Sequence, residues 1–435
     1  MDTSTLFAFR KDLYQCFSDR GDAMMTLIDA LLTNPSAQSF PELTLSTLFD
    51  RKWQSAYAAI KHGKIDFDAL RKVRTKYAPK PLPGKRLLIA GDASSIYRPE
   101  SKTLEDRTHV HVSNQAKGGK ATTPGLQYSC LMAVLEEPSS WNYALDVERI
   151  PSAKTPVKVI SEQLAKTVPL LQERPLFLGD GGYGNVAFLL NSQGIECDKL
   201  LRIAKNRILY RAAPPRPEKS GPGQPKKDGD KFDCKDDSTH GEPSESWESI
   251  DEKGRKTRVE RWDRVHFKKA RDIEVSLIRI SHLGVEDTKR NPSVFWLLFC
   301  GKECPKLSEI VPVYGCRYHI EHGFRFKKQD LMWDLPRFQT TDRFSLWTQL
   351  VFSVENQLFL ARESGLAQLQ KWENADRPLT PQKVRRGMGR ILVELGTPAC
   401  ACQVRGYSTG WQKGVKRAKL PQYKTVYKGE KQHQN

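Results

Sequence analysis

The sequence predicts a mixed α/β fold that is preceded by a helical region. In residues 1–80, apolar positions recur every three or four residues, as in "DAMMTLIDALL" and "WQSAYAAI", which is typical of amphipathic helices. From Arg86 onward the period changes to that of strands, and helical stretches are interleaved with them further along. Strands followed by helix, strand, helix and strand predict one mixed sheet, and not a bundle or a sandwich.

The elements of this sheet can be assigned in chain order. The strand-like stretches "RLLIAG", "HVHVS", "LQYSCLMAVL" and "YALDV" come first, and the last two suit antiparallel pairing. A helix over about residues 158–171 follows, and "PLFLGD" then predicts a buried strand. A short helix in "GNVAFLLNSQG" ends at Gly194, and "KLLRIA" is the next strand.

Residues 212–258 interrupt this pattern with a segment rich in Pro, Gly, Lys, Asp and Ser. Such a segment can bury too little apolar area to offset the conformational entropy lost on ordering, so we expect a mobile loop. Strands return in "TRVERWDRVHF", "EVSLIRIS" and "SVFWLLFC". The last 33 residues, Gln403–Asn435, carry many Lys and Arg and one acid, Glu430, so we expect a flexible basic arm.

Charge and composition limit the classes of partner. Lys and Arg number 70 against 51 Asp and Glu, which gives a formal net charge of +19. This excess favours a polyanionic binding partner, with nucleic acid as the first candidate and an anionic membrane as the second.

No signal peptide is evident, and the longest apolar run, Val294–Cys300, is too short to span a bilayer. The nine cysteines suit reduced thiols, and neither Cys300/Cys304 nor Cys400/Cys402 has the spacing of a zinc site.

The stretch "YGCRYHIEHGFRFKK" predicts an amphipathic helix with an unusual polar edge. At 100° per residue, Tyr314, Arg317, Glu321 and Lys328 fall within about 60° of arc. An apolar stripe suited to packing on a sheet lies beside them and consists of Val313, Cys316, Ile320, Phe324 and Leu331. The edge suits a carboxylate flanked by phosphate-binding groups, although any surface helix carries charges beside its apolar stripe.

Two further acids follow apolar strands. Asp92 comes at the close of "LLIAG" and Asp180 at the close of "LFLG". Ligands gather at the carboxyl ends of strands in open α/β sheets, although such aspartates are also common turn residues and helix caps. If Glu321 joins them, the three carboxylates repel one another unless a hard cation such as Mg²⁺ or Mn²⁺ is bound. Two such ions about 4 Å apart can drive displacement at phosphorus, so the set favours phosphodiester chemistry.

These motifs resemble the DDE transposases of bacterial insertion sequences. "IAGDASS", "FLGDGGYGN" and the helix with Tyr314, Arg317, Glu321 and Lys328 are similar to the branch with a Tyr-x2-Arg-x3-Glu-x6-Lys signature. The resemblance covers roughly residues 86–364 and implies a ribonuclease-H-like core. In that branch an all-β insertion separates the second Asp from the Glu, and the interval here is 321 − 180 = 141 residues.

The resemblance also implies a domain plan. We expect an N-terminal helical DNA-binding region (1–80), a first core segment (81–210), an insertion (211–303), a second core segment (304–375), and a C-terminal helix with the basic tail (376–435). The N-terminal helices and the tail would contact DNA, and pairing of two element ends implies a homodimer. The expected location is the bacterial cytoplasm, at the nucleoid.

The resemblance assigns roles to individual residues. Asp92, Asp180 and Glu321 would hold two Mg²⁺ or Mn²⁺ ions and catalyse cut-and-paste transposition, with terminal inverted repeats and target DNA as partners. Tyr314, Arg317 and Lys328 would contact phosphates near the cleaved end. Arg202 would be a further DNA contact. Trp296 would stack on a flipped base, although a half-buried strand Trp is an equally good interpretation of the pattern.

Two alternatives stay open. Gly179, Gly181 and Gly184 satisfy G-x-G-x-x-G between a strand and a helix, with Asp198 further on. This pattern formally matches the fingerprint of a dinucleotide-binding oxidoreductase. Its strand comes late in the sheet, and the basic charge would have no explanation. The other alternative is a transposase-derived DNA-binding protein that has lost catalysis.

Overall fold

The computed structural model describes most of the chain. The described residues are 3–112, 119, 121–136, 139–214, 226–250, 254, 256–288, 292–364, 369–374, 376–403, 410, 413–416 and 418–428. Within them no helix is both long enough and apolar enough to cross a membrane.

Four helices and one short strand pair form the N-terminal region, as the period of the sequence predicts. They are α1 (Ser4–Gln15), β1 (Phe17–Asp19), α2 (Gly21–Thr33), α3 (Trp53–His62), β2 (Lys64–Ile65) and α4 (Phe67–Lys76). Helix α2 is apolar on nearly every side, and Ala23 through Leu32 are all buried. A helix with this composition has to be enclosed by other elements.

A large mixed sheet organises the rest of the described chain, which confirms the predicted mixed α/β fold. Its twelve strands are β3 (Leu88–Tyr97), β4 (Thr108–His111), β5 (Thr122–Val134), β6 (Asn142–Arg149), β7 (Leu176–Gly179), β8 (Asp198–Ile203), β9 (Ile208–Arg211), β10 (Lys231–Asp233), β11 (Glu245–Ile250), β12 (Lys256–Phe267), β13 (Ala270–Leu283) and β14 (Val294–Cys300). Strands β3, β7 and β8 are mutually parallel neighbours, and β5 is antiparallel to β3. Strand β14 pairs antiparallel with β8, so the later strands extend the same sheet.

The loop expected over residues 212–258 is wrong for a large part of that segment. Strand β10 pairs with β9, β11 pairs with β12, and β12 itself begins at Lys256. An isolated apolar residue holds β10 in the sheet: Phe232 is fully buried and packs edge-on against the rings of Trp262 and Trp296. Residues 215–225, 251–253 and 255 of the expected loop lie outside the described residues.

Helices cover the sheet and connect its strands. They are α5 (Pro156–Thr167), α6 (Val186–Asn191), α7 (Leu307–Gly315), α8 (His319–Gln329), α9 (Thr341–Ala361) and α10 (Pro381–Leu395). A 3₁₀ turn over Cys316–Tyr318 joins α7 to α8. The single helix predicted for Tyr314–Lys328 is therefore two helices with a tightened turn between them.

Helix α9 is buried along most of its length although it carries many polar residues. The amide of Asn356 exchanges two hydrogen bonds with the backbone of Ala144, at 2.8 and 2.9 Å. Gln349 Nε2 donates to Val147 O at 2.8 Å. Seven helical residues rise about 10.5 Å and three strand residues about 10 Å, so the two side chains match the spacing of the β6 edge. Strand β6 pairs with β5 along one edge, and these side chains of α9 bond to backbone groups on its other edge.

Part of the C-terminal tail is docked and does not form a free arm. Tyr423 N donates to Lys102 O and Val426 N donates to Arg107 O, each at 2.8 Å. The ring of Tyr427 stacks on His109 with centroids 4.7 Å apart. The expectation of a flexible arm is thus wrong for this stretch, because main-chain groups pair with the edge at β4. Arg405, Arg417 and residues 429–435 lie outside the described residues.

Candidate functional site

Asp92 and Asp180 occupy equivalent positions on neighbouring parallel strands. Gly91 of β3 is in register with Gly179 of β7, and each acid is the next residue along its chain. Neighbouring strands lie about 4.8 Å apart, so the two carboxylates stand side by side. Strand β3 does not close at Asp92 as expected, because its pairing with the long strand β5 carries it on to Tyr97.

This juxtaposition changes the acidity of Asp92. Burial, reinforced by the negative charge of Asp180, raises the pKa of Asp92 to about 6. The Ala93 N–H, which donates to Asp92 Oδ1 at 2.7 Å, and the cation of Arg317 oppose this rise. Two partly buried carboxylates without full compensation are the electrostatic condition that a bound cation relieves.

Arg317 lies between Asp92 and Glu321. Its Nη1 is 3.8 Å from Asp92 Oδ2, and its Nη2 is 3.3 Å from Glu321 Oε1. The Arg317 side chain is 9% exposed, whereas that of Glu321 is 50% exposed. Within the described ranges, no group of three or more His, Cys, Asp or Glu stands close enough to hold a metal ion. The structure therefore brings the two aspartates together, and a guanidinium separates Glu321 from Asp92.

Tyr314 and Lys328 both bond to backbone next to the acids. The Tyr314 hydroxyl donates to Gly179 O at 3.3 Å, and burial raises the pKa of Tyr314 to about 12. Lys328 Nζ donates to Ser95 O at 2.8 Å, and burial lowers the pKa of Lys328. The helix residues thus tie α7 and α8 to the strands that carry the aspartates.

Arg202 lies on β8 and faces the same region. Its guanidinium stands 5.4 Å from the centroid of the Phe295 ring, and that ring lies 6.4 Å from the ring of Tyr314. These three side chains form a continuous row from β8 across β14 to α7. Phe295 was not identified from the sequence, because alternation along a strand cannot tell which of two adjacent aromatics faces the site.

Trp296 is not part of this row, and it does not lie where it could stack on a base as expected. Its side chain is 1% exposed. Strand alternation turns it to the opposite face from Phe295, where Trp262, His240 and Phe232 enclose the indole. Arg279 lies over the same ring at 5.9 Å, so no face of Trp296 is open to a base.

Tyr183 is a buried neighbour of the acids that the sequence did not single out. It follows Asp180 in the turn after β7 and is 3% exposed. Burial, reinforced by the charges of Asp92 and Asp180, raises the pKa of Tyr183 well above its usual value. Its phenol therefore stays protonated beside the two carboxylates.

The glycine-rich turn has a packing role in this structure. A Cβ on Gly184 would lie 2.9 Å from Ile203 Cγ2 and closer still to Arg202 O, so only glycine lets the turn lie against β8. Asp198 is fully buried, and its carboxylate accepts from Arg86 and Arg174 at 2.7 Å each. Neither feature resembles an open dinucleotide site, in which the acid has to reach a ribose hydroxyl.

Comparison with known proteins gives one result at the family level. A family model described as DDE superfamily endonuclease matches residues 12–270, which is more than half of the chain. The match includes Asp92, Asp180 and Arg202, and it ends before Tyr314 and Glu321. No curated protein matches the chain.

Proposed function

This chain belongs to the DDE superfamily endonucleases, and on that premise we propose that it is a DNA transposase of the bacterial insertion-sequence type. It would cleave DNA at the element ends and join the freed 3′ ends to target DNA. The pair of adjacent carboxylates, Asp92 and Asp180, on neighbouring parallel strands is the observation that supports this proposal. The ribonuclease-H-like core, the insertion and the Tyr-x2-Arg-x3-Glu-x6-Lys branch are parts of the same proposal.

The acid pair fits a divalent metal ion. Asp92 and Asp180 offer hard oxygen donors, and the repulsion between their charges would be relieved by a bound cation. These two residues would hold Mg²⁺ or Mn²⁺, and Glu321 would complete a two-ion set. A bound ion would activate a nucleophile and stabilise charge on the phosphate during in-line displacement.

The chain's own residues perform the remaining steps. Arg317 would leave Glu321 and bind a phosphate oxygen, because its guanidinium already borders the acids and offers donors in a planar fork. Asp92 has to be ionised to act as a ligand, so cleavage needs a pH above the range in which this group is protonated. Tyr314, Lys328 and Arg202 would contact neighbouring phosphates and position the strand for attack.

The net charge of +19 supports a polyanionic substrate. The N-terminal helices would contribute DNA contacts, and so would the basic tail beside β4. A homodimer would hold two element ends together, and target DNA would be the second substrate. These assignments and the domain boundaries 1–80, 81–210, 211–303, 304–375 and 376–435 remain proposals.

Strand transfer is the experiment that separates a transposase from a simple endonuclease. Labelled duplexes carrying the inverted repeats that flank the reading frame are incubated with the protein, Mg²⁺ and a supercoiled target plasmid. We expect 3′ hydroxyl ends at the repeat boundary and labelled plasmid joined to them. Cleavage without joining would contradict the transposase assignment and leave an endonuclease.

The same assay tests the catalytically silent alternative. The position of Arg317 between Asp92 and Glu321 is the observation that favours it. A silent protein would bind the repeats and give neither nicked nor joined products at any Mg²⁺ concentration.

A further inference from the structure

We infer that Asn142 is a positioning residue that sets the rotation of helix α8 and thereby the place of Glu321. Asn142 is the first residue of β6 and is 1% exposed. It touches none of the acids. The inference rests on the proposed function and deepens it, because it concerns how the same site is held.

Asn142 binds the helix backbone directly. Its Nδ2 donates to His319 O at 3.0 Å, and its Oδ1 accepts from Lys327 Nζ at 3.5 Å. A Cβ on Gly323 would fall 2.6 Å from Asn142 Oδ1 and 2.7 Å from its Cγ. Gly323 therefore lets the amide lie flat on the helix, and any larger residue would push the two apart.

Two further contacts come from the turn between β5 and β6. Ser139 N donates to His319 Nε2 at 3.2 Å. Cys316 Sγ donates to Glu136 O at 3.2 Å, just before α8 begins. We call Glu136, Ser139 and Asn142 the β5–β6 clamp. Its members hold the helical chain from Cys316 to Lys327 at several successive turns.

Lys327, the helix residue that Asn142 contacts, is also held by a buried ion pair in the core. Lys327 is fully buried, and its Nζ donates to Glu355 Oε2 of α9 at 2.5 Å. A buried ion pair is held in one geometry, because separating it leaves an uncompensated charge. Asn142 and Glu355 therefore fix the same ammonium from two sides, and Lys327 cannot rotate away from the clamp without a large penalty.

Helical geometry connects the clamp to the site. His319, Gly323 and Lys327 are four residues apart and share one face. Glu321 lies about 160° around the axis from Gly323, and Lys328 lies about 140° from it. Holding one face thus determines where the other face points, and a small rotation about the axis would displace the Glu321 carboxylate.

Asn142→Asp and Asn142→Ala test the inference, because the first keeps the side-chain volume and removes the donor to His319 O. Asn356→Ala is the matched control, since Asn356 bonds to the same strand at Ala144 and does not touch α8. Hydrogen exchange of amides 317–328 is measured first, without DNA or metal. We expect exchange of these amides about tenfold faster in both Asn142 variants than in Asn356→Ala, which shows the effect of a general loss of stability without a lost contact to α8.

The second readout is the Mg²⁺ concentration that gives half-maximal nicking of repeat DNA. Both Asn142 variants should need about tenfold more Mg²⁺, with DNA binding unchanged, because residues that orient metal ligands alter metal affinity by this order. Gly323→Ala should act in the same direction. Adding Asn142→Ala to it should give no further shift, because both changes break the same contact.

The outcomes separate the inference from the proposed function. If the Asn142 variants match Asn356→Ala in exchange and in Mg²⁺ requirement, Asn142 has no positioning role and the inference is wrong. If the unmodified protein shows no Mg²⁺-dependent nicking, the proposed function fails. In that case the exchange comparison alone decides whether the clamp holds α8.

Discussion

The raised pKa of Asp92 should make the stability of the folded protein depend on pH. Its folded pKa of about 6 lies above the ordinary value of 3.8, so the folded state binds the proton more tightly than the unfolded chain does. Stability linked to this group is therefore fully present below about pH 4 and is lost as the pH rises through about 6.

Asp92→Asn should remove this dependence. In EDTA at about pH 8 we expect the variant to be about 1–2 kcal/mol more stable than the unmodified protein, after allowing for partial exposure of the carboxyl. At about pH 4 the two should be equally stable. Urea unfolding at both pH values measures the difference, and a variant less stable than the parent at the higher pH would show that the pKa of Asp92 is not raised.

The pH profile of cleavage should report the same group. Because Asp92 must be deprotonated to bind a cation, nicking should increase through about pH 6 at limiting Mg²⁺. Higher Mg²⁺ should move the midpoint to lower pH, since metal and proton compete for the carboxylate. A midpoint that does not respond to Mg²⁺ would assign the titration to a group that is not a ligand.

Some residue positions in the site could be predicted from the sequence, and others could not. Asp92 and Asp180 could be placed together because each follows an apolar run in the sequence that predicts a strand of an α/β sheet. The orientation of Trp296 could not be predicted, because a sequence does not say which face of a fully paired strand meets the core. The position of Arg317 between two acids depends on α8 and β3, which are far apart in sequence.

At the scale of elements, α9 shows why buried polar residues escape pattern analysis. Asn356 and Gln349 break an apolar helix face in the sequence, yet they are placed to close the edge of β6. Nothing local in the sequence indicates that a strand edge lies beside them.

Asn356→Ala should therefore destabilise the protein by about 2–4 kcal/mol, because it leaves both the N–H and the C=O of Ala144 buried without partners. Thermal or chemical unfolding measures the loss. Asp342→Ala is the control on the same helix, since Asp342 is exposed and its removal should change stability by less than about 0.5 kcal/mol. Equal effects of the two substitutions would mean that the edge contacts are not important.

The α7–α8 segment shows how much of an element a periodicity can predict. Helical structure over Tyr314–Lys328 was predictable, and Cys316 and Ile320 of the apolar stripe are buried. The 3₁₀ turn at Cys316–Tyr318 was not predictable, nor was the burial of Tyr314 and Arg317. Contacts with the β5–β6 turn and with Gly179 decide those features, and they are tertiary.

At the scale of the whole molecule, buried arginines join the N-terminal helices to the rest of the chain. Arg10 of α1 bonds to Asp29 of α2 and to Gln357 of α9, with its Nη1 at 2.7 Å from each partner. Arg385 of α10 donates to Leu31 O and to Asp330 O, so it links α2 to the end of α8.

We therefore expect the N-terminal helices and the sheet to unfold in one cooperative transition. Calorimetry should show a single peak, and Arg10→Met should lower its midpoint without splitting it. Two resolved peaks would mean that residues 1–80 fold separately from the sheet and that the buried arginines do not couple them.

We propose that Asp92, Asp180 and Glu321 together support metal-dependent cleavage of DNA. The most direct test of this proposal is the rate of nicking of repeat DNA in Mg²⁺ by the unmodified protein and by Asp92→Asn, Asp180→Asn and Glu321→Gln, with DNA binding measured in parallel. We predict that each substitution lowers the rate by at least about a thousandfold, that EDTA abolishes it, and that binding persists. Nicking that survives any of the three substitutions while binding persists would contradict the account.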